Sequence, residues 1–148
     1  MIDNKENKQI NNLIIEANSA RESAYAPYSN FRVGAALLTK SGKVYRGCNI
    51  ENAAYSPTNC AERTAFFKAI SDGEREFEAI AIVGSGDNTS ESTSKICAPC
   101  GVCLQVMAEF CDMGEFRIIL GTRKGQYEEY TLRELLPLGF SKDSLKEQ

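Results

Sequence analysis

Cys60-Ala61-Glu62-Arg63-Thr64-Ala65 and Pro99-Cys100-Gly101-Val102-Cys103 are the segments whose reading decides this fold. Each has the pattern of a helix start. Residues 61–71 carry apolar positions at helical spacing and stop at Asp72-Gly73, and residues 100–112 form a second amphipathic run. Both cysteine segments therefore sit where backbone N–H groups are free and the helix dipole is positive, a place that favours thiolate over thiol. Cys100 and Cys103, three residues apart, fall on one face of a first turn. For Cys60 to join them, two helix N-termini must meet. Three thiolates can hold a zinc ion and leave its fourth position open, which is what separates a catalytic zinc from a structural one. Glu62, two residues from one ligand, is placed to move protons beside that open position.

Composition narrows the chemistry further. The 148 residues are 43% apolar and 25% charged, which reads as one globular domain over residues 1–148 with a polar tail at about 141–148. Seventeen basic against 20 acidic side chains leave a net charge of −3. A mildly acidic chain has no long-range attraction for phosphate backbones, so nucleic acid is a poor partner. No apolar run approaches the ~20 residues of a membrane span. Residues 1–9 are polar and charged, without the apolar stretch of a secretory signal, so a cytoplasmic location is expected. Six cysteines are then thiols and metal ligands rather than disulfides.

The chain contains no histidine. That excludes Ser-His and Cys-His nucleophile pairs and any imidazole base. A transition-metal site must rest on thiolate and carboxylate, and soft thiolates favour zinc. A proton shuttle near neutral pH must come from a carboxylate, lysine, tyrosine or cysteine with a shifted pKa.

Outside the two helices, residues 10–22 show helical spacing at Leu13, Ile14 and Ala17, and Tyr25-Ala26-Pro27-Tyr28-Ser29-Asn30 ends that helix. Residues 31–39 and 44–49 flank Lys40-Ser41-Gly42-Lys43 as a hairpin. Residues 78–83 and 116–121 read as strands, 127–130 as a weaker one, and 132–136 as a short helix stopped near Pro137. Residues 84–94, small and polar, read as a surface loop. The order α-β-β-α-β-α-β-β-α suggests helices covering a mixed sheet, a hairpin followed by βα units.

Taken singly, each site feature has a plain explanation. A Cys-x-x-Cys pair fits a redox couple or half of a structural zinc site. Cys97 is available as a fourth thiolate. Glu62 suits the dipole of a helix first turn, and Arg63 reads as a solvated side chain. It is the joint pattern that points to a catalytic metal. Three thiolates on Zn²⁺ sum to −1, which opposes ionising a bound water, and Arg63 can offset that charge through N–H···S contacts. Cys48 and Cys111 fall on apolar faces and read as small buried hydrophobes.

The same segments carry a resemblance. Phe31-Arg32-Val33-Gly34-Ala35-Ala36-Leu37-Leu38, Gly47-Cys48-Asn49-Ile50-Glu51-Asn52-Ala53-Ala54-Tyr55, Cys60-Ala61-Glu62-Arg63-Thr64-Ala65 and Pro99-Cys100-Gly101-Val102-Cys103 resemble the small, homotetrameric, zinc-dependent cytidine deaminases, from about residue 10 to about 140 and in the family's order. Tyr25-Ala26-Pro27-Tyr28-Ser29 and Glu134-Leu135-Leu136-Pro137 fit as well. The resemblance implies a three-layer α/β/α sandwich around a mixed five-stranded sheet. It implies hydrolysis of cytidine and deoxycytidine to uridine and deoxyuridine, with release of ammonia, in pyrimidine salvage.

Residue by residue, it places one zinc per chain on Cys60, Cys100 and Cys103 and makes Glu62 the proton shuttle. It puts Asn49 and Glu51 on the ribose hydroxyls, Phe31 against the base and the Ala61 backbone on the base edge. Tyr55 and Phe140 match aromatic positions that neighbouring subunits contribute to the pocket, so the expected partners are a nucleoside and three further copies of the chain. One position departs: the family usually has Arg directly after the last zinc cysteine, where this chain has Leu104, and more of the charge balance falls to Arg63. A deaminase of another aminopyrimidine, such as an antibiotic nucleoside, is the nearest rival. A structural zinc module and a thiol–disulfide protein are rivals of other classes, and neither uses Glu62.

Overall fold

Residues 3–87 and 95–146 are described by the computed structural model of the chain. In chain order they form α1 (Asn4–Arg21), β1 (Phe31–Thr39), β2 (Val44–Cys48), α2 (Ala61–Ser71), β3 (Phe77–Gly86), α3 (Gly101–Phe110), β4 (Arg117–Gly121), β5 (Tyr127–Thr131) and α4 (Leu132–Leu135), followed by a 3-10 turn at Lys142–Leu145. The strands make one five-stranded sheet in the order β2-β1-β3-β4-β5. The pair β3–β4 is parallel, as a βαβ crossover through α3 requires, and the other pairs are antiparallel. The expected mixed sheet is present.

Alternation along the strands makes the layers. Ala35, Leu37, Ile80, Ile82, Ile118 and Leu120 pack with Ala65 and Phe66 of α2 and Met107 of α3 in one buried cluster. The intervening Ala36, Leu38, Ala79, Ala81, Val83 and Ile119 pack with Ile10, Leu13, Ile14 and Ala17 of α1 in a second. The sheet is thus covered on both faces, α1 on one side and α2 with α3 on the other. The near-continuous apolar run of β3 follows, since a central strand buried on both faces has no polar side to show.

Two glycines set how closely the helices approach. A Cβ at Gly34 would lie 2.0 Å from Ala17 O and 2.4 Å from Arg21 N, so the end of α1 rests directly on β1. A Cβ at Gly47 would lie 2.3 Å from Ala61 O, so the first turn of α2 rests directly on β2. The second contact seats Cys60 and Glu62 over the sheet.

Four expectations are corrected. The first helix starts at Asn4 rather than residue 10, with Asp3 as its N-cap accepting from Lys5 N–H at 3.4 Å. Its first turns face water and carry no apolar period. The loop expected over residues 84–94 begins as strand, with Phe31, Arg32 and Val33 pairing Gly86, Ser85 and Gly84; β1 imposes extended backbone there whatever the composition. Residues 88–94 of that stretch lie outside the described residues. The polar tail contains the 3-10 turn, whose N-cap Ser141 accepts from Asp143 N–H at 3.3 Å. Cys48 and Cys111, expected to be small buried hydrophobes, are half-buried at element ends, with Cys111 packed against the core cluster. No helix among the described residues is long and apolar enough to cross a membrane.

The Gly34 contact yields an expected outcome. Gly34→Ala drives a methyl into helix backbone that cannot turn aside, and overpacking of this kind costs about 1–3 kcal/mol. Denaturant unfolding is expected to show a lower midpoint at unchanged slope; an unchanged midpoint contradicts the close approach.

Candidate metal centre

Cys60 is the N-cap of α2 and Cys100 the N-cap of α3, both with extended backbone (φ −77° and −72°) and neither capping its own helix through its side chain. The sulfurs turn toward each other instead. Cys60 Sγ lies 3.8 Å from Cys100 Sγ, and Cys100 Sγ lies 3.5 Å from Cys103 Sγ. All three fall within 4.8 Å of one another. Zinc–sulfur bonds of about 2.3 Å in a tetrahedron set sulfur–sulfur edges of about 3.8 Å, so the spacing fits the ion. Among the described residues this is the group of side chains that could hold a metal, and Cys97 is not part of it. A closed four-thiolate shell is therefore not what the fold assembles.

Charged neighbours tune the sulfurs. Arg63 Nη2 donates to Cys60 Sγ at 3.3 Å, and Arg63 Nε is buried without a hydrogen-bond partner. The Cys60 thiol is held well below its ordinary value, first by hydrogen bonding from Cys103 and then by Arg63, against the opposing effect of burial. Cys103 is pushed up by the same hydrogen bond to Cys60, by burial and by Glu62. Glu62 is 4% exposed, and burial, with the Cys60 charge adding to it, raises its carboxyl above the ordinary value although Cys103 Sγ donates to Oε2 at 3.1 Å. Cys97 is raised to about 11, chiefly by burial.

The backbone around Cys60 is braced by bonds the residue pattern did not announce. Thr64 Oγ1 donates to Cys60 O at 3.2 Å and accepts from Asn59 Nδ2 at 3.1 Å. Asn59 and Ile50 exchange two backbone hydrogen bonds of 2.9 Å, which ties the strand end after β2 to the entry of α2. A threonine four residues after Cys60 was the available signal for the first of these.

The other expected site residues fall into two places. Asn49, just past β2, donates from Nδ2 to Phe31 O at 2.8 Å and accepts at Oδ1 from Val33 N–H at 2.8 Å. Its amide thus clamps the start of β1, where Phe31 is partly exposed, and keeps one donor and one lone pair for a ligand. Glu51 Oε1 accepts from Tyr28 N–H at 2.9 Å and Ser29 N–H at 3.1 Å. Hydrogen bonds from Ser29 and Tyr28 hold its carboxyl below the ordinary value. Tyr55 is 76% exposed at φ 58°, meets Tyr28 edge-on at 6.4 Å between ring centroids, and with Ser29, Glu51, Asn52 and Thr58 lines an open cleft of 340 Å³. Ala61 is fully buried in the first turn of α2. Phe140 lies apart from that cleft, 59% exposed, its carbonyl accepting from Gln105 Nε2 of α3 at 2.8 Å. Leu104 is buried in the core beside α2, so the position is apolar in environment as well as in identity.

A family model for the cytidine and deoxycytidylate deaminase zinc-binding region matches residues 7–119. The chain belongs to this family. A cytidine deaminase of Sporosarcina psychrophila is 54% identical over 136 residues, covering 92% of this chain and 94% of that protein. One from Halalkalibacterium halodurans is 51% identical over 135 residues, covering 91% and 96%. The crystal structure of cytidine deaminase from Burkholderia pseudomallei aligns with a TM-score of 0.78 at 48% identity, covering 87% of this chain and 97% of that one. As a member of the deaminase family the chain is a hydrolytic, nucleoside-processing enzyme, and Cys60, Cys100 and Cys103 fit its zinc site, one per chain.

Metal analysis separates the cysteines. Cys100→Ala is expected to lose zinc and Cys97→Ala to retain it at the parent's stoichiometry. Equal loss in both makes the site a four-thiolate one and contradicts the sulfur geometry.

Proposed function

We propose that the chain deaminates cytidine and deoxycytidine to uridine and deoxyuridine in pyrimidine salvage, with Glu62 as the group that moves the protons. The observation that carries this is Glu62 itself: a carboxylate 4% exposed, with its oxygen 3.1 Å from a metal-ligating sulfur. Zinc, when bound by Cys60, Cys100 and Cys103, supplies the Lewis acid that ionises water near neutral pH. Glu62 then holds the proton taken from that water and gives it to the ring nitrogen beside C4, which makes C4 electrophilic. Hydroxide adds to C4, Glu62 takes the remaining proton from the new C4 hydroxyl and gives it to the exocyclic amine, C4=O forms as the C4–N bond breaks, and ammonia leaves. Arg63 offsets the excess negative charge of the sulfurs through its contact with Cys60. The whole chain is read as a single domain.

For the nucleoside, the spare donor and acceptor on Asn49 and the second oxygen of Glu51 suit ribose hydroxyls, Phe31 offers a ring face to the base, and the Ala61 backbone faces the base edge. Tyr55 and Phe140, both largely exposed, are aromatic area that one chain leaves uncovered. A homotetramer in which neighbours complete each pocket accounts for them. A cytoplasmic location suits the free cysteines.

Glu62→Gln is expected to keep zinc and fold and to lose about 10²–10⁴-fold in kcat, since an amide cannot shuttle protons. The assay follows loss of cytosine absorbance and ammonia release; a variant within tenfold of the parent removes Glu62 from this role. Light scattering is expected to report the mass of four chains, and a fully active monomer refutes the shared pocket while leaving the zinc chemistry intact.

A further inference from the structure

Gln105 lies on α3, half a turn beyond Cys103, and its Nε2 donates to the Phe140 carbonyl at 2.8 Å. The segment it catches follows a constrained path. Leu136 N–H closes back on Leu132 O at 2.9 Å, and Gly139 N–H donates to Leu136 O at 3.2 Å. Between them Leu138 takes φ 56°, a left-handed conformation that leucine rarely adopts. Gly139 then folds over Leu136 so closely that a Cβ would lie 2.5 Å from Leu136 Cγ. Ser141 begins its own capped turn. Neither α4 nor that turn supplies a partner for the Phe140 carbonyl. Among the described residues, the Gln105 bond is the one hydrogen bond from residues 137–141 to α1, α2, α3 or the sheet; the others run to the end of α4 and to the 3-10 turn on either side. The Phe140 ring, meanwhile, stays out of the core at 59% exposure. Its backbone is anchored and its side chain is presented.

We propose that Gln105 is a positioning residue for substrate affinity: its amide fastens the Phe140 backbone to the helix that carries Cys100 and Cys103. This rests on the reading that Phe140 completes a nucleoside pocket. The strap is then fixed to the body of its own chain through α3, so that docking against a neighbour delivers the Phe140 ring to the neighbour's pocket in one position. The chemistry requires a neutral donor. A carboxylate at the same position has no proton to give at neutral pH and would face the carbonyl with a like partial charge.

The test uses the full zinc-loaded chain and the variants Q105A, Q105E, F140A and Q105A/F140A. One hydrogen bond corresponds to about two- to tenfold in affinity, so Q105A and Q105E are expected to raise KM for cytidine by that factor. Parent zinc content and a kcat close to the parent's are expected with it. In the F140A background the Gln105 substitution is expected to add nothing further. The chain has no tryptophan, so F140W places a single tryptophan at the strap, excited selectively over the six tyrosines. Adding Q105A to it is expected to lower its anisotropy and raise its quenching by acrylamide. If F140A raises KM and Q105A does not, or if Q105A acts equally in both backgrounds, the clamp is overturned and the shared pocket stands. Loss of zinc in both Gln105 variants makes the residue merely structural and also overturns it. A parent-like KM in F140A removes the pocket role of Phe140, and this inference falls with it.

Discussion

Everything in this fold serves the meeting of two helix N-termini at three sulfurs. Thiolates repel one another, so nothing in the sulfurs themselves brings them within 4.8 Å; packing must do it. The α2 end is set by Gly47, which admits the Ala61 carbonyl against β2. The α3 end is set by the crossover from β3 to β4, which carries α3 over the same face of the sheet as α2. Farther along α2, toward the other end of the sheet, Phe66 meets Phe77 and Phe116 at 5.1 and 6.0 Å between centroids and fixes the helix on its apolar face. Because Cys60 and Cys100 are N-caps that do not cap themselves, the positive ends of both helices are left to the sulfurs. A metal then binds where the helix termini already favour anions.

How far the sequence discloses this depends on the range of each interaction. Cys60, Glu62, Cys100 and Cys103 are legible because helix starts and i, i+3 spacing are local facts. Strands β1, β3 and β4 are legible from apolar runs and β2 from its place in a hairpin, whereas β5, with Glu128 and Glu129 at its centre, gives only a weak signal. The early turns of α1 are not, since residues facing water on one exposed helix end show no period. Gly84 to Gly86 are not, because their extended state is imposed by pairing with residues some fifty positions earlier. The bonds of Asn49 to β1 and of Gln105 to Phe140 are long-range contacts between a side chain and a backbone group. Nothing in the neighbourhood of either residue announces them. The resemblance to a family could name Asn49 as a ligand, but only geometry shows that the same amide also holds the strand that carries Phe31.

The buried Leu104 shows how a local substitution shifts an electrostatic task. The position beyond the last zinc cysteine lies against apolar neighbours, where an unpaired cation would carry a large desolvation penalty. The guanidinium that reaches a sulfur comes from the other helix, Arg63 on Cys60. That asymmetry reaches Glu62. It is on the same first turn as Arg63, yet its oxygen lies against Cys103 rather than against the guanidinium. Burial and the nearby Cys60 charge both favour its protonated form, and the thiol hydrogen bond favours the ionised one. Burial is the larger influence, so the carboxyl stands above its ordinary value, which suits it to take up and hold a proton better than a fully solvated or firmly salt-bridged glutamate. Arg63 lies on the sulfur and not on the carboxylate; pairing it with Glu62 would hold the carboxyl ionised and defeat the proton transfer proposed for it.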